Sequence, residues 1–353
     1  MKKKLIRTST VLLAIAASLG LAACGSSSSS GSGSSSASTS SNLTGAGSTL
    51  VAPLMSQWQS KYDEEKGVTV TYGAIGSGGG IEQITARTVD FGASDAPFTS
   101  SQAAACKGCV QIPWSLAAVA VAYNVKGVSN GLHLTGPVLA DMYMGKIKTW
   151  NDPAIKKLNP GVNLPSTKIT PVYRTDGSGD TYAFTDYLSK ISPQWKSKIG
   201  NSTQVHFPVG LGGKGSSGVA GVLTSTNGSL TYLTLAYVLS NKLDTASVQN
   251  AAGKFVAPGI SSISAAAKTL KSVPANNKIS ITDPPASAAG AYPISTFTYA
   301  LVPEKSPKAS GLKKFITWAV GPTGQSFAPK LEFAPLPPKV VSAAKSTLTK
   351  IHP

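Results

Sequence analysis

The segment Arg174–Thr185 combines residue types that suit the binding of a small anion. It reads Arg-Thr-Asp-Gly-Ser-Gly-Asp-Thr-Tyr-Ala-Phe-Thr. A β-like run at 169–173 precedes it and apolar residues at helical spacing follow, which predicts a strand-to-helix turn. Free backbone N–H groups and the helix dipole favour an anion at such a turn. Arg174 adds a planar fork of donors that matches a tetrahedral oxyanion.

Three other segments have the same design of a strand, a Gly/Ser-rich link and a helix. They lie at 45–49, 76–80 and 212–217, and with 177–181 they are called the four Gly/Ser turns. One such turn is weak evidence, because loops of α/β proteins commonly contain glycine. If the turns converge, their N–H groups and hydroxyls would enclose a small oxyanion with few formal charges. The carboxylates Asp176 and Asp180 are unexpected there, although Asp176 also suits a turn cap.

Catalysis is the competing interpretation, and the sequence gives it little support. Nucleophilic serine chemistry needs a base beside the serine, but His133, His206 and His352 lie outside the four Gly/Ser turns. No Gly-x-Ser-x-Gly elbow is present, and Lys214 is followed by Gly215 rather than by the Ser or Thr of a phosphate-binding loop. Nothing marks a pair of glycosidase carboxylates. We therefore expect a binding protein and no enzyme.

The order of the predicted elements indicates an α/β fold. Apolar and β-branched runs predict strands at 68–72, 90–94, 117–125, 169–173, 229–233 and 294–302. Helical spacing predicts helices at 54–62, 137–144, 312–320 and 340–351. Strands alternate with helices, and residues 43–353 are numerous enough for two lobes with their own cores.

The N-terminus has the features of an export signal. A basic start, an apolar run at 11–21 and the sequence Leu21-Ala-Ala-Cys24 predict a lipoprotein signal peptide over residues 1–23. Cys24 would then be lipidated and anchor the protein outside the cytoplasmic membrane; an ordinary secretory signal with a chance cysteine is the alternative. Residues 25–42 are almost entirely Ser and Gly, which predicts a flexible tether with a root-mean-square span of roughly 23 Å.

The charge does not indicate a nucleic-acid partner. The formal net charge is +17, and residues 24–353 keep +13 because the signal holds four basic residues and no acid. The lysines are scattered, without a dense basic run or interleaved aromatic residues, so we expect a solvated basic surface.

The cysteines predict a structural disulfide rather than a metal site. Cys106 and Cys109 form a Cys-x-x-Cys pair, for which a disulfide is plausible outside the cytoplasm. A thioredoxin-type redox pair would need a helix after its first cysteine, but an extended run follows at 110–113. Zinc is not expected, because there is no second cysteine pair and the histidines are far apart. No cofactor is indicated.

Seven segments carry a resemblance to the substrate-binding lipoprotein family of the high-affinity phosphate ABC importer. They follow the family's order and span most of residues 43–335: Leu43–Thr49, Gly76–Gly79, Val89–Pro97, Gly145–Asn151, Leu158–Gly161, Arg174–Gly179 and Val209–Gly215. The resemblance implies a type II periplasmic-binding-protein fold, with a ligand cleft between two lobes and two hinge crossovers near 114–120 and 291–298. Residues 43–115 and 293–353 would form the first lobe, and residues 116–292 the second. The implied partners are inorganic phosphate and the permease and ATPase subunits of the importer.

The resemblance also implies a set of ligand-binding residues: Thr49, Leu50, Ser77, Asp95, Arg174, Asp176, Ser178, Gly179, Asp180 and Thr181. Asp95 matches the carboxylate that accepts the phosphate proton, and Asp176 matches the partner of Arg174. Leu50, where the family often has Phe, would bind through its backbone N–H. Asp180 replaces a common Thr, and is interpreted either as a second proton acceptor or as a helix-start residue that offers only its N–H.

Proton acceptors in the site would explain selectivity between oxyanions. Phosphate carries one or two protons near neutral pH, whereas sulfate carries none, so a buried carboxylate would accept a bond from phosphate and repel sulfate. An unmatched buried polar group costs about 1–3 kcal/mol or more, which supports large discrimination. The alternatives are a binding protein for sulfate or molybdate, or a secreted phosphoester hydrolase.

Overall fold

The computed structural model describes residues 42–353; the predicted signal peptide, Cys24 and nearly all of the tether lie outside the described residues. The strands are β1 (Leu43–Gly47), β2 (Val70–Ala74), β3 (Phe91–Ser94), β4 (Cys109–Asn124), β5 (His133–Leu134), β6 (Thr170–Arg174), β7 (Leu211–Gly213), β8 (Ser229–Thr234), β9 (Asp244–Thr245), β10 (Ser247–Gln249), β11 (Phe255–Val256) and β12 (Ser295–Pro303).

The helices alternate with these strands, so the predicted α/β class is confirmed. They are α1 (Ala52–Lys66), α2 (Ser77–Thr85), α3 (Ser100–Ala105), α4 (Gly136–Tyr143), α5 (Pro153–Leu158), α6 (Gly179–Ile191), α7 (Pro193–Lys198), α8 (Gly215–Ser225), α9 (Leu235–Ser240), α10 (Ile260–Lys268), α11 (Ala309–Val320), α12 (Pro322–Gln325) and α13 (Pro338–Leu348), with a 3₁₀ turn at Pro329–Leu331.

The strands form two sheet regions that share β4. The first lobe contains the order β2-β1-β3-β12-β4, in which β1 is parallel to β2 and β3, and β12 is antiparallel to both neighbours. The second lobe contains β4-β8-β6-β7, in which β6 is parallel to β7 and β8. A small sheet, β11-β10-β5, also belongs to the second lobe.

Strand β4 passes from one lobe to the other. Its residues 109–118 pair with β12, and its residues 119–124 pair with β8. At the change of partner, the Val119 N–H donates to the Ile294 carbonyl at 2.9 Å. Residues 111–123 are all buried, as expected for a strand covered on both faces. The change of partner lies close to the predicted crossovers, and the exact lobe boundaries at 115/116 and 292/293 stay predictions.

Each lobe has its own aromatic core. In the first lobe, Trp58 of α1 packs edge-on against Trp114 of β4, with ring centroids 5.4 Å apart. In the second lobe, Phe184 of α6 stacks on Tyr232 of β8 at 4.5 Å. Apolar burial of this kind supplies the main driving force for folding, and close packing holds the helix starts in place.

Cys106 and Cys109 form a disulfide between α3 and β4. The Arg87 guanidinium donates to the Cys106 carbonyl at 2.7 Å, which fixes this loop further. Within residues 42–353, no group of three or more His, Cys, Asp and Glu side chains could hold a metal ion. No helix of the described chain is both long and apolar enough to cross a membrane.

Candidate functional site

The four Gly/Ser turns meet between the two lobes. The Gly78 N–H donates to the Gly177 carbonyl at 2.9 Å, and the Gly179 N–H donates to Ser77 Oγ at 3.1 Å. A further contact joins the 45–49 and 212–217 turns: the buried hydroxyls of Thr49 and Ser216 lie 2.8 Å apart. The starts of α2 and α6, and those of α1 and α8, are therefore brought close together.

Two of the glycines are required by the close approach of the lobes. A Cβ on Gly179 would lie 2.3 Å from the Cβ of Asp95. Gly76 has φ +92°, and a Cβ there would lie 2.4 Å from Asp176 Oδ2. Any larger residue would push the lobes apart, so glycine at these positions allows the observed contact.

Arg174 is held between two carboxylates of its own turn. It lies at the end of β6, is 3% exposed, and donates through Nε and Nη2 to the two oxygens of Asp176, with 2.8 Å from Nε to Oδ1. Its Nη1 donates to Asp180 Oδ2 at 2.9 Å. Such charge-assisted, bidentate bonds are strong and fix the guanidinium plane. Three of the five N–H groups of Arg174 are therefore already engaged.

Asp180 lies in the first turn of α6, where the helix dipole favours a negative charge. It is 1% exposed, and Thr234 Oγ1 donates to its second oxygen at 2.9 Å. Burial raises the pKa of Asp180, and the charge of Arg174 and the Thr234 bond oppose that rise. The sequence interpretation gave Asp180 no part in holding Arg174, so this ion pair is a new finding.

Asp176 behaves differently because it is only half-buried. Burial alone would raise the pKa of its carboxyl, but the bond and charge of Arg174 outweigh burial, and the pKa is lowered. The Gly215 N–H, at the start of α8, also donates to Asp176 Oδ1 at 2.9 Å. Asp176 therefore links Arg174, beside the 177–181 turn, to the 212–217 turn of the second lobe.

Asp95 follows β3 in the first lobe and is bonded by hydroxyls rather than by a cation. Ser48 Oγ lies 2.7 and 2.6 Å from its two oxygens, and Ser77 Oγ donates to Oδ2 at 3.2 Å. Burial, followed by the charge of Asp180, raises the pKa of Asp95 to about 7, while Ser48, Ser77 and Arg174 oppose the rise. Near neutral pH this carboxyl can therefore either accept or donate a hydrogen bond.

The remaining predicted residues support the second-lobe turn. Ser178 caps α6, since its Oγ accepts from the Thr181 N–H at 3.2 Å. The Thr181 hydroxyl lies 2.8 Å from Tyr232 Oη, which also accepts from the backbone N–H of Arg174 at 3.1 Å. Leu50 is fully buried beside Thr49 in the first-lobe turn.

Sequence reasoning missed four polar residues that contact the predicted set. Ser48 and Ser216 lie inside the Gly/Ser turns, so their position could have suggested them. Thr234 and Tyr232 lie at the end of β8, in an apolar strand without a turn motif, and no local signal marks them. Their contacts with the predicted residues follow only from the pairing of β8 with β6.

The charges of the site favour an anion that brings its own protons. Among residues 42–353, the buried or half-buried side chains of Asp95, Asp176 and Asp180 lie around one buried cation, Arg174. If all four were ionised, the formal charge would be −2, which opposes an anion unless it offers O–H donors to a carboxylate. Backbone N–H groups at the helix starts supply the complementary donors.

The fold is that of the periplasmic binding proteins. A family model described as the PBP superfamily domain matches residues 32–323. Among solved structures, a high-affinity periplasmic phosphate-binding protein, PfluDING, bound with phosphate, aligns with a TM-score of 0.70 and 19% identity, covering 88% of this chain and 93% of that one. A phosphate-binding protein from Stenotrophomonas maltophilia has the same TM-score and identity, covering 87% of this chain and 93% of that one. These likenesses confirm the two-lobed fold.

The sequence relatives define the family more narrowly. Phosphate-binding protein PstS of Xylella fastidiosa (strain Temecula1) is 43% identical over 304 residues, which cover 85% of this chain and 82% of that protein. Phosphate-binding protein PstS of Pasteurella multocida is 39% identical over 85% of this chain and 87% of its own length. The chain belongs to the PstS family of substrate-binding proteins, as the seven sequence segments predicted.

Proposed function

We propose that this protein binds inorganic phosphate outside the cytoplasmic membrane and delivers it to a phosphate ABC importer. The observation that carries the proposal is the pairing of a buried carboxylate, Asp95, with helix starts that offer N–H donors. A protonated oxyanion satisfies both kinds of group at once, because its O–H donates to the carboxylate and its other oxygens accept from the N–H groups. The names and high identity of the PstS relatives support the same ligand.

The donors for the anion come from both lobes. Thr49 and Ser77 offer hydroxyls from the first lobe, and Leu50 offers a backbone N–H beside them. Gly179 and Asp180 offer N–H groups at the start of α6. The dipole of α6 adds to their attraction, so most of the anion's charge is balanced by aligned dipoles rather than by cations.

Selectivity over sulfate arises from the carboxylates in this proposal. Ionised Asp95 accepts a bond from a phosphate O–H, but it meets only unprotonated oxygens on sulfate or molybdate. Asp180 acts as a second acceptor when the anion carries two protons. The ion pairs of Arg174 with Asp176 and Asp180 limit the positive field that would otherwise attract any divalent anion. These features favour phosphate over the alternative oxyanions.

The contacts give no support to the alternative of a phosphoester hydrolase. A serine nucleophile would need a histidine or another base beside it. His133 instead stacks on Phe255 of the small sheet, with ring centroids 4.2 Å apart, and His206 is exposed. The hydroxyls of Ser48 and Ser77 are bonded to Asp95, which serves here as the acceptor for the ligand proton. We therefore propose transport without catalysis.

Delivery requires a position at the membrane. Lipidation of Cys24, with residues 25–42 as tether, would hold the two lobes near the permease subunits. The basic surface outside the cleft would then lie free for protein contacts and needs no nucleic acid.

Calorimetric titration of the purified protein with phosphate, and separately with sulfate, tests the proposal. We expect tight phosphate binding and at least a hundredfold weaker sulfate binding, about the ratio that one or two unmatched buried groups supply. Equal affinity for the two anions would contradict the assignment. Hydrolysis of an aryl phosphate, measured on the same sample, would instead support the enzyme alternative.

A further inference from the structure

Ser48 uses every polar group it has, and all its partners belong to the first lobe. Its N–H donates to the Ala93 carbonyl at 2.9 Å, and its carbonyl accepts from Tyr72 Oη at 2.7 Å. Its hydroxyl accepts from the Val51 N–H at 3.3 Å and lies within 2.7 Å of both oxygens of Asp95. The side chain is fully buried, so no water competes for these bonds.

The direction of the Ser48 hydroxyl bond depends on the charge of Asp95. Ionised Asp95 can only accept, so the single proton of the hydroxyl, which itself accepts from the Val51 N–H, then goes to the carboxylate. Ser77 is farther from Asp95, at 3.2 Å, and also accepts from the Gly179 N–H of the other lobe. Ser48 is therefore the donor to Asp95 that does not depend on the position of the second lobe.

The charged groups around Asp95 oppose one another. Burial and the Asp180 carboxylate of α6 favour the neutral form, and the Arg174 guanidinium of β6 favours the ionised form. Tyr72 of β2 and Tyr299 of β12 also face Asp95, but burial raises the pKa of both phenols, so they stay neutral. The hydroxyl bonds of Ser48 and Ser77 favour ionised Asp95, because a donor stabilises a carboxylate more than a carboxyl.

We propose that Ser48 is a specificity-determining residue: its hydroxyl keeps Asp95 ionised and oriented, so that the site rejects an oxyanion that brings no proton. The inference rests on the proposed function, since it concerns the choice of anion at the same site. Ser48 does not touch the anion itself in this proposal; it acts through Asp95.

The proposal gives sulfate and phosphate different pH dependences. Sulfate binds only when Asp95 is neutral and donates to it, so sulfate affinity falls by up to about tenfold per pH unit once Asp95 is ionised. Phosphate affinity does not fall in this way, because phosphate can carry the proton of the hydrogen bond to Asp95 when Asp95 is ionised. Without the Ser48 hydroxyl, Asp95 stays neutral to a higher pH, and the decline of sulfate affinity begins later.

Competition calorimetry on the purified protein, with phosphate titrated against sulfate from about pH 5.5 to about pH 9, tests this difference. In Ser48→Ala, we expect the phosphate-over-sulfate ratio near pH 8 to fall by about tenfold, as expected for a lost bond to a charged group. Ser94→Ala is the matched control. Ser94 is equally buried and next to Asp95 in sequence, but its hydroxyl donates to the Ala96 carbonyl at 2.7 Å, so the ratio should not change.

A second variant provides the test if Ser48→Ala does not fold. Ser48→Cys keeps a weak S–H donor and nearly the same size, so it should give an intermediate shift of the sulfate pH profile. Ser48→Ala or Ser48→Cys profiles that coincide with the wild-type profile would overturn the role of Ser48 while leaving phosphate binding intact. A wild-type protein that binds no phosphate would instead overturn the proposed function.

Discussion

The two lobes hold their site carboxylates by different means. In the first lobe, Asp95 is bonded by the hydroxyls of Ser48 and Ser77 and has no cation within bonding distance among the described contacts. In the second lobe, Asp176 and Asp180 are both ion-paired with Arg174. A hydroxyl leaves the net charge of a carboxylate unchanged, whereas a guanidinium neutralises it. The first lobe therefore provides the group that can exchange a proton with a ligand, and the second provides a fixed frame whose formal charge is −1 when Arg174, Asp176 and Asp180 are all ionised.

Removal of the Arg174 cation should have the largest effect on the difference between the two lobes. Arg174→Met keeps the length of the side chain but leaves Asp176 and buried Asp180 without their cation, although each keeps one other hydrogen bond. Breaking a buried pair on one side costs about 3–5 kcal/mol, so the free energy of unfolding should fall by that order and anion binding should be lost. Urea unfolding monitored by circular dichroism measures the first effect. Arg87→Met removes an arginine that bonds to the disulfide loop and to the Ile84 carbonyl near the end of α2, but to none of the site carboxylates, and should leave anion binding intact.

The pH dependence of stability should differ between Asp95 of the first lobe and Asp176 of the second, whereas buried Asp180, with a raised pKa, has the same sign as Asp95. The pKa of Asp95 rises to about 7 on folding, so the native state holds its proton over the range from about 4 to about 7, where the unfolded chain releases it. Stability from this group is complete below about pH 4 and is lost as pH rises through about 7, by up to about 1.4 kcal/mol per pH unit. Asp176, with a lowered pKa, has the opposite sign: its contribution is lost only as the pH falls below about 4.

Urea unfolding in phosphate-free buffers at several pH values measures these slopes. Asp95→Asn should flatten the slope between about pH 4 and about pH 7. An unchanged slope in that variant would assign the titration to other groups, and the contrast between the lobes would then be wrong.

Asp95→Asn should also change which anion binds. Asparagine can donate to an unprotonated oxygen, so sulfate affinity should rise and the phosphate-over-sulfate ratio should fall by about a hundredfold. Calorimetry with both anions measures the ratio. Asp90→Asn, at the other end of β3 and paired with Lys308, is the control with the same chemical change. If Asp95→Asn keeps its selectivity for phosphate, the role of proton acceptor belongs to Asp180 instead.

A smaller effect is expected when the hydrogen bond from Thr234 to Asp180 is removed. Thr234→Val keeps the shape of the side chain but removes its bond to Asp180 Oδ1. The loss of one bond to a buried carboxylate should lower stability by about 1–2 kcal/mol, with less change in selectivity than in Asp95→Asn. Thermal unfolding and the same pair of titrations would show whether Asp180 affects stability more than anion choice.

Local sequence predicted the parts of the site that depend on neighbouring residues. The turn from Arg174 to Asp180 contains two ion pairs within seven consecutive positions; the sequence indicated the pair with Asp176 but not the pair with Asp180. The bond from Thr234 to Asp180 and the contact of Thr49 with Ser216 join residues 54 and 167 positions apart. Such partners follow from the packing of whole lobes, and no spacing rule predicts them.

The fold was predicted where hydrophobic patterns are long, and less well where one strand serves two sheets. The run at 117–125 predicted a strand, but β4 begins already at Cys109 and contains Pro113. Proline normally interrupts a strand because it lacks an N–H donor. Here the pairing with β12 is irregular between Thr298 and Tyr299, opposite this region, and the irregularity accommodates the proline.

The position of β12 between β3 and β4 affects the order in which the two lobes can form. The second-lobe sheet uses strands from residues 119–245, so all of its strands have been made before β12. The first-lobe sheet has β12 between β3 and β4, so its two halves stay separated until residues 295–303 have been made. During synthesis and export, β3 and the first half of β4 therefore have exposed edges for most of the chain's length, and these edges are the segments where a chaperone or a wrong strand would bind.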